Sequence, residues 1–257
     1  MDLKLKNITI AVAGSSRGIG KGIVKNLLNE GANTVVTGRN RDSVKNTFEE
    51  FNNLFPDNIC YHVGDLNEGS ILDGLKNKLL DKWERIDGIV CNVGGSKPID
   101  ENNIKNSDWD WFAKANFGTS VKFTEYFCSE LKKVNGAIVY ISSIAGIEEL
   151  GAPIPYNVYK AALNVYAKNQ ATRLAKWGIR VNVVAPGNIF FKGGSWDLKL
   201  KENPRKIKKI IKDNVPLNKF GDPDDIANIV TFLLSEKAKF VTGSCIIADG
   251  GQTKRYY

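Results

Sequence analysis

The sequence predicts an α/β fold in which helices cover both faces of one doubly wound parallel sheet. Short apolar, β-branched runs alternate along the chain with longer segments of helical periodicity. The first run, residues 7–13, enters a glycine-rich turn that opens a helix, an order typical of domains that bind dinucleotides. A chain of 257 residues suffices for one large domain and is short for two. We therefore expect a single domain over residues 1–257.

The elements follow one another in a regular alternation. Apolar runs predict strands at residues 7–13, 34–37, 59–63, 86–91, 138–141, 179–184 and 242–249. Helical patterns cover residues 19–29, 41–53, 67–83, 107–133, 156–177 and 222–234. Gly31 ends the first helix, Pro155 closes the loop before the fifth, and a Gly-Asp-Pro sequence starts the last. A further basic helix is expected within residues 190–214.

The composition excludes several classes of protein. The chain is 42% hydrophobic and 25% charged, and no apolar run reaches the ~18 residues of a membrane-spanning helix. The first residues show no signal-peptide pattern. The four cysteines are far apart without a CxxC pair, and His62 is the one histidine, so neither a metal site nor a histidine-based triad is expected. A reduced, cytoplasmic location fits best.

The net charge of +8 raises the question of a nucleic acid partner. The lysines are spread along the chain, however, and no DNA- or RNA-binding motif accompanies them, so we expect no such partner. The densest basic segment is residues 199–212. It suits either an anionic substrate or a solvated helix face, and the sequence leaves both interpretations open.

A candidate site for proton transfer follows the fifth strand. Tyr156 and Lys160 stand four residues apart in a helical pattern and therefore share a face. A free phenol has a pKa of about 10 and is a poor proton donor or base near pH 7. A nearby ammonium favours the phenolate, so we expect Lys160 to lower the pKa of Tyr156 and prepare it for acid–base chemistry. Ser143, at the end of the strand, could hydrogen-bond the same oxygen.

The glycine-rich turn is a candidate phosphate-binding loop. It reads Gly14-Ser15-Ser16-Arg17-Gly18-Ile19-Gly20. Glycines let the backbone approach a pyrophosphate, and the N-terminus of the following helix supplies N–H groups and a favourable dipole. The spacing GxxxGxG differs from the commoner GxGxxG.

This glycine spacing, with Ser143 followed thirteen residues later by Tyr156-x-x-x-Lys160, resembles the short-chain dehydrogenase/reductase family, classical type. The resemblance covers nearly the whole chain. It implies a Rossmann-type fold with seven strands in the order 3-2-1-4-5-6-7. It also implies hydride transfer between a nicotinamide and a carbonyl or alcohol carbon. Ser143 would polarise the carbonyl, Tyr156 would donate the proton, and Lys160 would also hold the nicotinamide ribose.

The resemblance implies further site residues. Asn116 would hold a water that links to Lys160. Asp65 would cap the adenine amino group and Leu66 would cover the ring, although Asp65 could equally cap the helix at 67–83. The other implied cofactor positions are Asn92, Gly94, Pro186, Gly187 and Ile189.

The resemblance also has departures. Ala13 replaces the threonine that usually precedes the first glycine, and Val93 replaces an alanine in the turn after the fourth strand. Phe191 occupies a position where the family often has threonine. Residues 190–214 would form the substrate lid.

The residues after the second strand predict NADP(H) rather than NAD(H). An NAD-preferring domain places an acidic side chain there to accept from the ribose 2′-hydroxyl. Gly38 stands at that position, with Arg39 beside it and Arg17 in the glycine turn. Two guanidinium groups suit a 2′-phosphate, which arginine can bind with two hydrogen bonds.

The sequence leaves the substrate open. The family resemblance allows a 3-oxoacyl thioester reductase, although the interface-helix ends, where such enzymes often carry arginines to dock an acidic carrier, here read Lys132-Lys133-Val134 and Lys176-Trp177. A sugar or nucleotide-sugar oxidoreductase of a bacterial surface-sugar pathway is the alternative. A cofactor-sensing module without catalysis is a third interpretation. The resemblance also implies a homotetramer.

Overall fold

The computed structural model describes residues 2–254, and within them the predicted sheet is confirmed. Seven strands lie in the order β3-β2-β1-β4-β5-β6-β7, and every neighbouring pair is parallel. The strands are β1 Thr9–Ala13, β2 Asn33–Gly38, β3 Ile59–Val63, β4 Gly88–Cys91, β5 Ala137–Ile141, β6 Arg180–Pro186 and β7 Cys245–Ala248.

The helices lie between the strands, close to their predicted positions. They are α1 Gly18–Asn29, α2 Arg41–Asn52, α3 Gly69–Trp83, α4 Asn106–Ala113, α5 Thr119–Val134, α6 Ile154–Leu174, α7 Ser195–Glu202, α8 Pro204–Asn214 and α9 Pro223–Leu234. The long helix predicted over residues 107–133 is confirmed as one continuous helical run, in which a π-helical turn at Lys114–Gly118 lies between the α-helical parts α4 and α5. The basic segment forms two helices, α7 and α8, which Asn203 separates.

The sheet lies between two hydrophobic cores. Every residue of β1 and β5 is buried, as expected for strands covered on both faces. On one face, α1 and α9 contribute Ile23, Leu27, Val230 and Leu233. On the other, α3, α5 and α6 contribute Leu72, Phe123, Phe127 and Leu163. Strand residues alternate between the cores: Val12 belongs to the first and Ala11 to the second.

Local signals fix where α9 begins and how closely it packs. Asp222 and Asp225 each accept the other's backbone N–H, at 3.0 and 2.9 Å, and Pro223 begins the helix between them. Gly22 of α1 lies against Pro223, since a side-chain carbon at Gly22 would come within 2.9 Å of the proline ring. A glycine is therefore needed for α1 and α9 to approach this closely.

The strand order reverses between β1 and β4, and parallel sheets bind ligands at the carboxyl ends of strands flanking such a point. Four connections meet at this edge: the glycine turn after β1, the loop after β4, the loop after β5, and residues 187–221 after β6. No helix in residues 2–254 is both long and apolar enough to cross a membrane.

Candidate active site

Two hydrogen bonds join the end of β5 to α6 at the predicted site. The Lys160 ammonium donates to the backbone oxygen of Ile141 at 3.0 Å, and the Ser142 hydroxyl donates to the backbone oxygen of Lys160 at 3.2 Å. Both side chains are buried. Ser142 thus has a structural role, and the two bonds hold the strand end against the helix.

Ser143 and Tyr156 face each other across this junction. Their side chains form a hydrogen bond, and Ser143 also accepts the backbone N–H of Ala145 at 3.2 Å. The half-buried ring of Tyr156 packs edge-on against Phe112, with 6.5 Å between ring centroids. The Lys160 Nζ lies 5.8 Å from the Tyr156 ring centroid. The structure therefore brings the three predicted residues together.

The pKa of the Tyr156 phenol differs from the expectation. Burial raises the pKa of the Tyr156 phenol, and the hydrogen bond with Ser143 lowers it by less, so the net direction is upward. Burial also lowers the pKa of Lys160, to about 8. The prediction that Lys160 would bring the pKa of Tyr156 below its ordinary value is therefore wrong for the described residues, because burial of the phenol has the largest effect on that pKa.

Asn116 lies in the π-helical turn and is fully buried. Its Nδ2 donates to the backbone oxygen of Gly95 at 2.9 Å, and its Oδ1 accepts the Gly95 N–H at 3.0 Å. The amide therefore fixes the turn after β4. Gly94 in that turn lies close to both predicted side chains: a side-chain carbon there would come within 2.9 Å of the Lys160 Nζ and 3.1 Å of the Asn116 Oδ1.

The glycine turn adjoins this loop on its other side. Asn92 donates from Nδ2 to the backbone oxygen of Gly14 at 2.7 Å. A side-chain carbon at Gly20 would come within 2.3 Å of that oxygen, so only glycine fits there. Gly14 and Gly18 have φ of +68° and +56°, which glycine adopts readily. A continuous set of contacts thus leads from the glycine turn through Asn92 and Gly94 to Lys160.

Ser15 has a different role from its neighbours in the turn. Its hydroxyl is buried, donates to the backbone oxygens of Val12 and Val35 at 3.1 Å, and accepts the N–H of Thr37 at 2.9 Å. The Thr37 hydroxyl in turn accepts the Gly14 N–H at 2.9 Å. The Ser15 and Thr37 side chains therefore hold the backbone of the glycine turn in place. Thr37 was missed by the sequence analysis, although a threonine at the end of β2 could have suggested it.

The start of α1 has the features of an anion site. The Arg17 side chain makes no capping hydrogen bond there, whereas Asn40 caps α2 and Asp222 caps α9. No acidic residue stands in the first turn of α1. The first N–H groups of this helix and its dipole therefore suit a pyrophosphate. Ser16 and Ile19 lie in the same turn and at the start of α1.

Any side chain at Gly38, the last residue of β2, would be crowded by its neighbours. A side-chain carbon at Gly38 would come within 3.0 Å of both the Ser16 hydroxyl and a Val44 methyl. Arg39 and Arg17 are both exposed. Neither makes an ion pair with another described residue.

Asp65 lies beyond β3 and does not cap α3. The helix begins at Gly69 with Glu68 at its N-cap, so the alternative that Asp65 caps a helix starting at residue 67 is wrong. Asp65 instead accepts from the backbone and side chain of Asn67, at 3.0 and 2.8 Å. Burial raises the pKa of Asp65, but these bonds and the Lys114 charge lower it by more. Leu66, beside it, is buried.

The turn after β6 is held in place by β7. The Gly187 N–H donates to the backbone oxygen of Ala248 at 2.9 Å, next to Pro186 at the end of β6. Ile189 forms a parallel bridge with Gly221. The lid then begins: the Phe191 ring lies over Gly18, so that a side-chain carbon at Gly18 would come within 2.6 Å of it.

The lid is anchored by its own side chains. Asp197 is buried and accepts both the Gly193 N–H and the Lys201 ammonium at 2.8 Å. Trp196 packs against Phe220, with 5.5 Å between ring centroids, and Phe220 packs against Phe190 at 5.8 Å. The lid ends where the Leu217 N–H donates to Gly250 at 3.1 Å. Residues 190–214 therefore extend from the glycine turn towards the loop after β7.

The sequence analysis missed the segment after β7, which adjoins the site. The Lys254 N–H donates to the Glu148 carboxylate at 2.8 Å, and Asn188 donates to the Gln252 side chain at 2.9 Å. These bonds connect the segment after β7 to the loops after β5 and β6. Within residues 2–254, no group of three or more His, Cys, Asp or Glu side chains is placed to hold a metal ion.

The chain is similar to known oxidoreductases over almost its whole length. A family model described as enoyl-(acyl carrier protein) reductase matches residues 13–253. The 3-oxoacyl-(acyl-carrier-protein) reductase FabG of Aquifex aeolicus is 32% identical, over 98% of this chain and 99% of that protein. Dehydrogenase/reductase SDR family member 4 of Mus musculus is 31% identical, over 98% and 89%.

A solved structure has the same overall fold. It is the L-sorbose reductase of Gluconobacter frateurii, complexed with NADPH and L-sorbose. It superposes with a TM-score of 0.92 at 25% sequence identity, and the match covers 100% of both chains.

Proposed function

This chain belongs to the short-chain dehydrogenase/reductase family, and on that premise we propose that it is an NADP(H)-dependent reductase of a carbonyl substrate. The observation that carries the proposal is the meeting of Ser143, Tyr156 and Lys160 at the end of β5. Contacts through Gly94 connect this group to the glycine turn. The proton donor at the start of α6 therefore lies close to the glycine turn that would bind the dinucleotide.

When bound, the dinucleotide supplies the hydride. The chain's own residues position the carbonyl and supply the proton. Ser143 orients the carbonyl oxygen beside Tyr156, whose raised pKa keeps its proton in place near neutral pH until it is donated. Lys160 lies beneath both and would hold the nicotinamide ribose. Asn116 fixes the Gly94–Gly95 turn and would place the relay water.

The remaining cofactor contacts follow from the same edge of the sheet. The backbone of the glycine turn and the start of α1 would bind the pyrophosphate. Asp65 and Leu66 would contact the adenine, and Asn92, Pro186, Gly187 and Ile189 would line the nicotinamide side. These last residues end strands β4 and β6 or follow them directly.

NADP(H) is the cofactor that these residues favour. Gly38 leaves no acidic group to accept from a ribose 2′-hydroxyl, and Arg39 and Arg17 are exposed without described ionic partners. A 2′-phosphate would supply the missing negative charge. The solved L-sorbose reductase structure, which contains NADPH, supports this choice.

A 3-oxoacyl thioester is the first candidate substrate. It is supported by similarity to 3-oxoacyl-(acyl-carrier-protein) reductases from several bacteria, such as that of Aquifex aeolicus. A keto-sugar is the second candidate, supported by the match to L-sorbose reductase. A cofactor sensor without turnover is disfavoured, because Ser143, Tyr156 and Lys160 are all present and assembled.

The test is oxidation of NADPH, followed at its absorbance, with a panel of 3-oxoacyl thioesters and phosphorylated or free keto-sugars. Tyr156→Phe should lower turnover by about 10²–10⁴-fold, since it removes the general acid. NADPH binding, measured by fluorescence, should remain. Binding of NADPH without turnover of any substrate by the unmodified protein would favour the sensor and reject the reductase.

We also propose that the protein forms a homotetramer in the cytoplasm. Ile154, Val158 and Val165 are 49%, 44% and 63% exposed on α6 and share one helix face. An exposed apolar face of this kind supports contact between subunits. Light scattering on the purified protein measures the assembly directly, and a monomer mass would reject it.

A further inference from the structure

The positive charge of the protein is concentrated in the lid. Residues 190–214 hold eight lysine and arginine residues against three acidic ones, a net charge of +5 out of the +8 of the whole chain. Basic residues occur along the whole chain, as expected, but elsewhere acidic residues nearly balance them. The remainder of the chain is close to neutral, so an acidic partner would be attracted chiefly to the lid.

One face of α8 carries most of this charge. Arg205, Lys208, Lys209 and Lys212 stand at positions i, i+3, i+4 and i+7 and so share a face. All four are exposed, and none makes an ion pair with another residue within 2–254. Like charges four residues apart disfavour a helix by themselves. A helix that keeps them unpaired has charge available for an external partner.

This face, which we call the lid surface, points away from the protein interior. The opposite side of α8 is buried through Ile207 and Ile211. Small anions within the site would therefore not meet these charges, which makes them poor recognition groups for a phosphorylated sugar. The buried apolar side is likewise not free to insert into a membrane. An acidic group that stays outside the site is the partner these charges fit.

The lysines at the ends of α5 and α6 are already engaged within the chain. Lys132 and Lys176, at the ends of α5 and α6, lie over the ring of Trp177 with their Nζ atoms 3.8 and 4.2 Å from its centroid. Lys133 pairs with Glu130 at 2.6 Å. These lysines would have to leave their partners to bind an acidic protein, whereas those of the lid surface would not.

We propose that the lid surface docks an acidic protein that carries the substrate as a thioester, and this rests on the proposed 3-oxoacyl reductase function. The lid begins against the glycine turn and ends beside the loop after β7, so a partner bound on it stands next to the site. Leu198, 54% exposed on α7, adds an apolar contact among the charges. The carrier remains outside while its acyl group enters.

The experiment compares the same acetoacetyl group on a purified acyl carrier protein and on N-acetylcysteamine. Lys208→Glu with Lys209→Glu should lower kcat/KM for the carrier substrate by about tenfold or more, since opposite charge at the rim steers association. The small thioester should be reduced at an unchanged rate. In the unmodified protein, raising the salt concentration should lower kcat/KM for the carrier substrate towards that for the small thioester.

The matched control is Lys237→Glu with Lys239→Glu. These exposed lysines make the same change in net charge, but they precede β7 and therefore lie at the opposite end of the sheet from the lid. The control should leave both substrates unaffected. Equal losses from the two pairs of substitutions would overturn the proposal, since net charge alone would then explain the effect.

Other outcomes separate docking from function. If the lid variant reduces the small thioester and also keeps the full kcat/KM for the carrier substrate, the docking proposal alone is overturned. Failure of the unmodified protein to reduce either thioester would reject the 3-oxoacyl function and docking with it. A lid variant that loses binding to phosphatidylglycerol vesicles or duplex DNA, yet keeps full activity with the carrier, would assign the surface to a different partner.

Discussion

Phe191 and Gly18 are in direct contact, so the beginning of the lid rests on the glycine turn. The same ring also touches Gly194, where a side-chain carbon would come within 2.9 Å of it. The ring therefore lies between a glycine of the turn and a glycine at the start of α7. A threonine would not fill this space, so the size of the Phe191 ring is what joins the lid to the glycine turn.

Gly18→Ala should destabilise the protein through two separable effects. The left-handed backbone at Gly18 costs a non-glycine residue about 1–2 kcal/mol, and the added methyl meets the Phe191 ring. In a Phe191→Ala background only the first effect should remain, so urea unfolding should show a smaller loss there. The same loss in both backgrounds would mean that the ring does not constrain this glycine.

Ser143→Ala and Ser142→Ala should have opposite consequences, although the two serines are adjacent. Loss of the Ser143 hydroxyl should lower kcat by about 10²-fold or more, because a group that orients and polarises the carbonyl is removed. Loss of the Ser142 hydroxyl should cost about 1 kcal/mol of stability through its bond to Lys160, with little change in kcat. Steady-state kinetics and chemical unfolding on the same samples distinguish the two.

Lys160 should make stability rise with pH above neutrality. Its pKa is lowered from 10.5 to about 8, so between these values the unfolded chain holds a proton that the folded chain has released. The contribution of this group to the unfolding free energy therefore increases with pH, by up to about 1.4 kcal/mol per pH unit.

Comparison with Lys160→Met isolates the contribution of this one group. The free energy of unfolding of the unmodified protein, minus that of the variant, should be larger at pH 9.5 than at pH 7.5. A difference that stays constant with pH would show that Lys160 keeps an ordinary pKa.

Arg39→Asp should weaken NADPH binding by about tenfold or more and leave NADH binding little changed, because an arginine–phosphate contact is replaced by repulsion. Arg41→Asp is the matched control, since Arg41 is also exposed and begins α2 two residues later. Fluorescence titration with both nucleotides gives the two affinities. Similar losses for NADPH and NADH would mean that Arg39 does not contact the phosphate.

Much of the fold could be predicted because its signals are local. The buried strands β4 and β5 are short apolar runs, and Asp222, Pro223 and Asp225 mark the start of α9 unambiguously. The shared face of Tyr156 and Lys160 also followed from their spacing, whereas the meeting of Ser143 with them was implied by the family resemblance.

What could not be predicted depends on contacts distant in sequence or on burial. The bond from Lys254 to Glu148 joins residues 106 positions apart, and no pattern in either segment indicates the other. The pKa of Tyr156 depends on how deeply the ring is buried, which spacing does not reveal. The outward direction of the α8 charges likewise depends on the burial of Ile207 and Ile211 on the opposite side of the helix.

The π-helical turn at Lys114–Gly118 sets the rotational phase of everything that follows it in α5. Such a turn contains one residue more than an α-helical turn. If the same five residues were wound as a regular α-helix, the downstream segment would be turned by about 100°. Phe123 and Phe127 would then leave the core, so the irregularity at Asn116 is also what keeps α5 aligned with the sheet.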